Sequence, residues 1–268
     1  MEYHRITSKK TGNIFTVKTF IGFFHRIMIG RNKNICLHIH VYPDEDDCYH
    51  AELQALGYDE GCVVNGFMTR GDGTKDLLNA AREFIKHRYD FVLAFTYKDT
   101  SYTECHNNLK VDMMFPSICK YRTNWYSHYF SGAPLFENGV SLLKEVNDFL
   151  DTKITINYSD FMDIIADVPN KNTDIYNKIL RFILPIYEKY YNGQKTYREF
   201  IAYVYRSECV YVAYWLKPFL KHINQDFMKL TSQVWIIPIK DTSYDIDYSF
   251  VSEQEYLMLG GYVKDYIL

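Results

Sequence analysis

A chain of 268 residues, 47% of them hydrophobic, has enough apolar surface for a substantial core in one large domain or two smaller ones. Its formal net charge of −3 gives no global attraction to nucleic acid, and no apolar run approaches the ~18 residues that a membrane-spanning helix needs. Cys36, Cys48, Cys62, Cys105, Cys119 and Cys209 lack any Cys-x-x-Cys spacing and no signal peptide precedes Tyr3-His4-Arg5, so reduced thiols in an intracellular protein are expected.

In chain order, Ile14 to Phe20, Arg26 to Ile29 and Ile35 to Val41 are short apolar runs rich in β-branched residues, bounded by Gly12, Gly30 to Asn34 and Pro43. They predict an antiparallel meander. Alternation puts His38 and His40 on one strand face, where Cys48 or His50 would complete a tetrahedral metal site; the spacing matches no established zinc motif, and a half-exposed strand face is the other reading. Lys9, Lys10, Lys18, Arg26, Arg31 and Lys33, interleaved with Phe15, Phe23 and Phe24, form a basic aromatic stretch. Solvated strand faces account for it as well as a nucleic-acid platform does, and nucleic acid is not the expected partner.

Cys62-Val63-Val64 leading into Phe67-Met68 reads as a strand that ends in the glycine turn Arg70-Gly71-Asp72-Gly73-Thr74. A helix over 74–87 follows, because Leu77, Leu78, Ala81, Phe84 and Ile85 recur on one face, and Tyr89 to Phe95 gives a further strand. Glycines between a strand and a helix let backbone amides approach a ligand, and with the helix dipole those amides suit phosphate. A dinucleotide fingerprint would need a third glycine at Asp76, and a P-loop would need a longer glycine spacing, so both are excluded. From Phe136 onward helices dominate: Val140 to Leu150, Phe161 to Ile165, Asp174 to Tyr191 with a break expected at Pro185, and one or two further helices over Gln194 to Ile223 with another break at Pro218, before a strand at Gln233 to Ile239. The fold class is therefore mixed α/β, with an α/β domain over 1–132 and a mostly helical region over 133–268, divided near Gly132-Ala133-Pro134.

The run from Arg70 through Leu78, then Ala80-Ala81, then Phe91-Val92-Leu93-Ala94-Phe95, resembles the coenzyme A loop and following helix of the GCN5-related N-acetyltransferases. Asn124-Trp125-Tyr126-Ser127-His128-Tyr129-Phe130 is similar to that family's Tyr-x-x-x-Gly-Phe segment, and the linked pieces also resemble an uncharacterised protein family of large double-stranded DNA viruses. The resemblance implies acetyl-coenzyme A as the acyl donor, an amine as acceptor, and a location in the host cytoplasm or the virion. It further implies a diphosphate on Arg70, Gly71, Asp72, Gly73, Thr74 and Lys75, pantetheine along Val63, Val64 and Met68, and Tyr126 as the acid that protonates the leaving thiolate.

An amine of pKa ~10.4 is almost wholly protonated near neutral pH, so acyl transfer needs a group that helps it lose a proton. Among Asp59, Glu60, Asp99 and Glu104, Glu60 is the favoured base because it leads into the run toward the glycine turn. The loop departs from the family pattern at Asp72 and Lys75, which leaves open a catalytically inactive protein. In that alternative the helical part offers Tyr187, Tyr190, Tyr191, Tyr197, Tyr203 and Tyr205 to a protein partner.

Overall fold

The computed structural model describes residues 1–43, 50–56, 62, 72–105, 109–166, 173–206, 209–224, 226–239 and 244–262. Glu60, Val63, Val64, Met68, Arg70, Gly71 and Cys48 lie outside them. The fold is mixed α/β and divides into two compact units, Met1–Tyr97 with the chain from Ile236 onward, and Lys98–Trp235. The compositional change near residue 132 falls inside the second unit. No helix among the described residues is long and apolar enough to cross a membrane.

The chain opens with a meander of β1 (Glu2–Ser8), β2 (Ile14–Phe20), β3 (His25–Arg31), β4 (Asn34–Val41) and β5 (His50–Leu56), each strand antiparallel to the last. Helix α1 (Asp72–Arg88) then carries it to β6 (Ala94–Lys98), which runs parallel to β5 with Ala51 opposite Phe95. The expected strand over 89–95 therefore starts later: Val92 N donates to Tyr89 O (3.0 Å), which closes a turn first.

Registered partners share a sheet face, and Ile6 with Phe15, Val17 with Ile29, and Ile27 with Ile39 are all fully buried. This face takes α1, whose Leu77, Leu78, Phe84 and Ile85 are also fully buried, each contributing about 2 kcal/mol of apolar burial. His4 meets Phe84 edge-on at 5.2 Å, Arg88 pairs with Glu2 at 2.9 Å, and Arg82 donates to Pro238 O at 2.6 Å.

The second unit begins with the hairpin β7 (Tyr102–Cys105) and β8 (Leu109–Asp112), then α2 (Met114–Tyr121), α3 (Trp125–Phe130), the short β9 (Ala133–Pro134) and α4 (Glu137–Leu150). It continues through α5 (Tyr158–Ala166), α6 (Thr173–Asn192), α7 (Tyr197–Val204), α8 (Cys209–Ile223) and α9 (Asp226–Leu230) to β10 (Val234–Pro238). Its core is aromatic: Phe161 stacks on Tyr187 at 3.9 Å, and Phe200, Trp215 and Phe219 close around them. Pro185 and Pro218 sit inside α6 and α8 without ending either helix. Each proline costs roughly 3 kcal/mol in a helix interior, but Ile179, Ile183 and Tyr187 in one helix and Trp215, Leu216, Phe219 and Leu220 in the other are buried around it, and their packing outweighs the lost hydrogen bond.

The chain returns to the first unit as β11 (Ile246–Phe250), which pairs antiparallel with β1, and α10 (Glu253–Met258). The strand order there is β11-β1-β2-β3-β4-β5-β6-β10. Helix α10 covers the face opposite α1, where Tyr256 lies 4.8 Å from the Tyr3 ring. A Cβ on Gly261 would fall 2.2 Å from the Tyr256 ring, so glycine is what lets the chain close over that side chain.

The expectation of reduced thiols fails at one pair, since Cys36 and Cys62 form a disulfide. Their spacing of 26 residues carries no motif; tertiary structure brings their Cα atoms to 5.6 Å, within reach of a bridge. Cys119 is free and buried, and burial pushes its thiol up to about 12.

Candidate functional site

In sequence α1 connects β5 to the parallel β6, and in the fold it packs over β1 and β11, so that its first turn lies beside the turn between β1 and β2. The first turn of α1 has amides with no intrahelical acceptor and the positive end of the helix dipole. Asp72, Gly73, Thr74 and Lys75 form that turn.

Two features set its chemistry. Thr74 is 1% exposed, and its Oγ1 has no hydrogen-bond partner among the described residues. Asp72 instead projects fully into solvent, with Lys75 Nζ 3.5 Å from its Oδ1, so the acid in the loop is held outward beside a cation. The repulsion that Asp72 would offer to a diphosphate is thereby reduced.

Asp76 explains why no third glycine is present. Its Oδ2 accepts from Thr11 Oγ1 at 2.6 Å and also from Asn13 Nδ2, while the residue is 4% exposed. The carboxylate ties the first turn of α1 to the turn between β1 and β2, fixing where the amides point. Sequence reading missed Thr11 and Asn13, since nothing local marks residues that meet a carboxylate 65 and 63 positions away.

Tyr126 lies on α3 in the second unit, 9% exposed, with its ring 5.2 Å from Trp125. Asn124 caps that helix by accepting from Ser127 N at 2.8 Å. The structure thus gathers Asp72, Gly73, Thr74 and Lys75 on one turn, and Tyr126 belongs to the other unit. Asp99, a weaker candidate base, is buried and accepts from Ser101 N at 3.2 Å, so it shapes a turn.

On the sheet face opposite α1, His38 and His40 have their Nε2 atoms 3.2 Å apart. Burial, the His40 ring and the Arg26 guanidinium lower the His38 pKa to about 4. Burial and Arg26 also lower His40, partly opposed by Glu52. A cationic neighbour disfavours a metal ion there, and among the described residues no three His, Cys, Asp or Glu side chains converge as ligands. His50 is half-buried at the start of β5. Of the basic aromatic stretch, Phe15 is fully buried in the core and Lys18 is 4% exposed with its Nζ 4.9 Å from the Phe20 ring, which removes both from a surface platform.

The expected tyrosine surface is also smaller than the sequence suggests. Tyr187 and Tyr197 are core residues, the first donating to Ile156 O at 2.7 Å, whereas Tyr191 and Tyr203 are exposed. No family model, no curated protein and no solved structure matches the chain.

Proposed function

We propose that the chain binds acetyl-coenzyme A with its diphosphate on the first turn of α1 and passes the acetyl group to an amine. The observation that carries this reading is the buried Thr74 hydroxyl, without a hydrogen-bond partner among the described residues, in the first turn of α1. A phosphate oxygen would accept from that hydroxyl and from the free amides beside it, and Lys75 would add a cation.

The thioester supplies an activated acyl carbon, at which a C–N bond forms while the C–S bond breaks. The amine must lose a proton, for which Glu60 is the favoured base from its place in the sequence, and the departing thiolate must gain one, a role that the resemblance assigns to Tyr126. If Tyr126 is that acid, Tyr126→Phe lowers kcat about 10²-fold with acetyl-coenzyme A affinity unchanged, because the hydroxyl acts as the transition state forms. Full turnover in the Phe variant removes Tyr126 from the mechanism.

The resemblance to a family of large DNA viruses bears on location. A reducing cytosol opens most disulfides, so the Cys36–Cys62 bridge favours the virion over the host cytoplasm. A second reading, an inactive protein that binds a protein partner, is favoured by the exposed Tyr191 and Tyr203 of the helical unit.

Calorimetric titration with acetyl-coenzyme A separates the two. The enzyme reading predicts saturable binding that Gly73→Asp abolishes and Asp72→Lys tightens, since the first substitution adds a negative charge to the site and the second removes one. No binding to the parent chain, or equal binding in both variants, rules out this site.

A further inference from the structure

Independently of the α1 turn, the second unit contains a cavity of about 290 Å³, near the lower end of the range for small-molecule sites. Its walls come from the β7–β8 hairpin, α2, α8 and α9. The floor is apolar: Val111, Phe115, Val212, Leu216 and Leu220 line it and are each buried. On α8 the spacing of Val212, Leu216 and Leu220 places one helical stripe along the cavity, which is why the sequence gives this helix an apolar face toward the hairpin.

The rim differs in kind. Lys110 and Lys217 both line the cavity and are exposed, and neither makes an ion pair among the described residues. Lys110 Nζ instead rests 4.1 Å from the centre of the Tyr102 ring. Asp112 also lines the rim, but its Oδ1 accepts from Met114 N at 2.8 Å, which commits that carboxylate to the start of α2. Among the described lining residues two lysines stand against one acid, a sum of +1 at the mouth of an apolar pocket. A neutral hydrocarbon would leave that charge unmatched, and a dianion would exceed it.

From this combination we infer that the cavity is a binding site for a medium-chain aliphatic monocarboxylate, its tail on the Val111, Leu216 and Leu220 floor and its carboxylate between Lys110 and Lys217. No covalent step is involved, and the site does not depend on coenzyme A binding.

The test is calorimetry on the full chain with decanoate, decanol and decyltrimethylammonium, each kept below its micelle concentration. Decanoate is expected to bind at one saturable site, with decanol about tenfold weaker for want of the two lysine contacts and the cation not bound. Lys110→Glu combined with Lys217→Glu, both on exposed side chains, should lower decanoate affinity at least about tenfold and admit the cationic amphiphile. Leu216→Trp should block decanoate and decanol by filling the floor. The inference is overturned if decanoate does not bind, if decanol binds equally well, or if the double lysine variant keeps the parent's affinity; the surface substitutions keep the test valid even where Leu216→Trp fails to fold.

Discussion

Burying the Thr74 hydroxyl with no partner among the described residues costs about 1–3 kcal/mol, a local penalty that a hydrogen-bonding ligand would relieve. Thr74→Val removes the hydroxyl at nearly constant volume. The variant should therefore be as stable as the parent or more stable by up to ~1 kcal/mol in urea unfolding, yet bind acetyl-coenzyme A more weakly. A variant that loses stability and keeps its affinity would show that the hydroxyl serves the fold. His38 gives a second test at this scale, with His40, Arg26 and Glu52 as the charged or titratable groups around it. With a folded pKa of about 4 against an ordinary 6.5, His38 stays neutral in the native state while the unfolded chain takes up a proton. Its contribution is fully present above pH 6.5 and is lost as the pH falls toward 4, by at most about 3 kcal/mol. The urea midpoint should fall less between pH 7 and pH 5 in His38→Gln than in the parent, and parallel falls would contradict the assignment.

Elements were legible where a local period marked them. The α1 face, the β2 to β4 meander and the helices Glu137–Leu150, Tyr158–Ala166 and Thr173–Asn192 follow from apolar spacing, and their boundaries lie close to those expected; the stretch Gln194 to Ile223 instead divides before Cys209 and not at Pro218. β1 was not legible, because Glu2-Tyr3-His4-Arg5 has no apolar alternation; it becomes a strand by pairing with β2 and with β11 from the other end of the chain. His4 is fully buried there against Phe84 and Phe250, a role that no neighbouring residue announces. The two prolines misled for the complementary reason, since a local breaker gives way when the helix around it buries large aromatics. The Cys36–Cys62 bridge depends in the same way on tertiary approach. Closing a loop of that length restricts the unfolded chain by about 3 kcal/mol, so Cys62→Ala should lower unfolding stability by about that amount. Reductant should destabilise the parent similarly and leave the variant unaffected.

At the scale of the molecule, the chain builds a sheet around α1, leaves it for a helical unit with an aromatic core, and returns to add β11 beside its first strand. Part of the candidate site could be read from the sequence because Gly73, Thr74 and Lys75 adjoin the apolar period of α1. The tie from Asp76 to Thr11 and Asn13 could not, since its partners come from a distant turn. The cavity between the hairpin and α8 was invisible for the same reason, as Lys110 and Lys217 meet one pocket only through the fold. The central claim is that the amides of the first turn of α1 hold a diphosphate, and amide nuclear magnetic resonance during titration with acetyl-coenzyme A reads those amides directly. Saturable shifts at Gly73, Thr74 and Lys75, reached only at higher ligand concentration in Thr74→Val and absent with acetate alone, are the predicted result; unmoved resonances at those three amides under saturating ligand would contradict it.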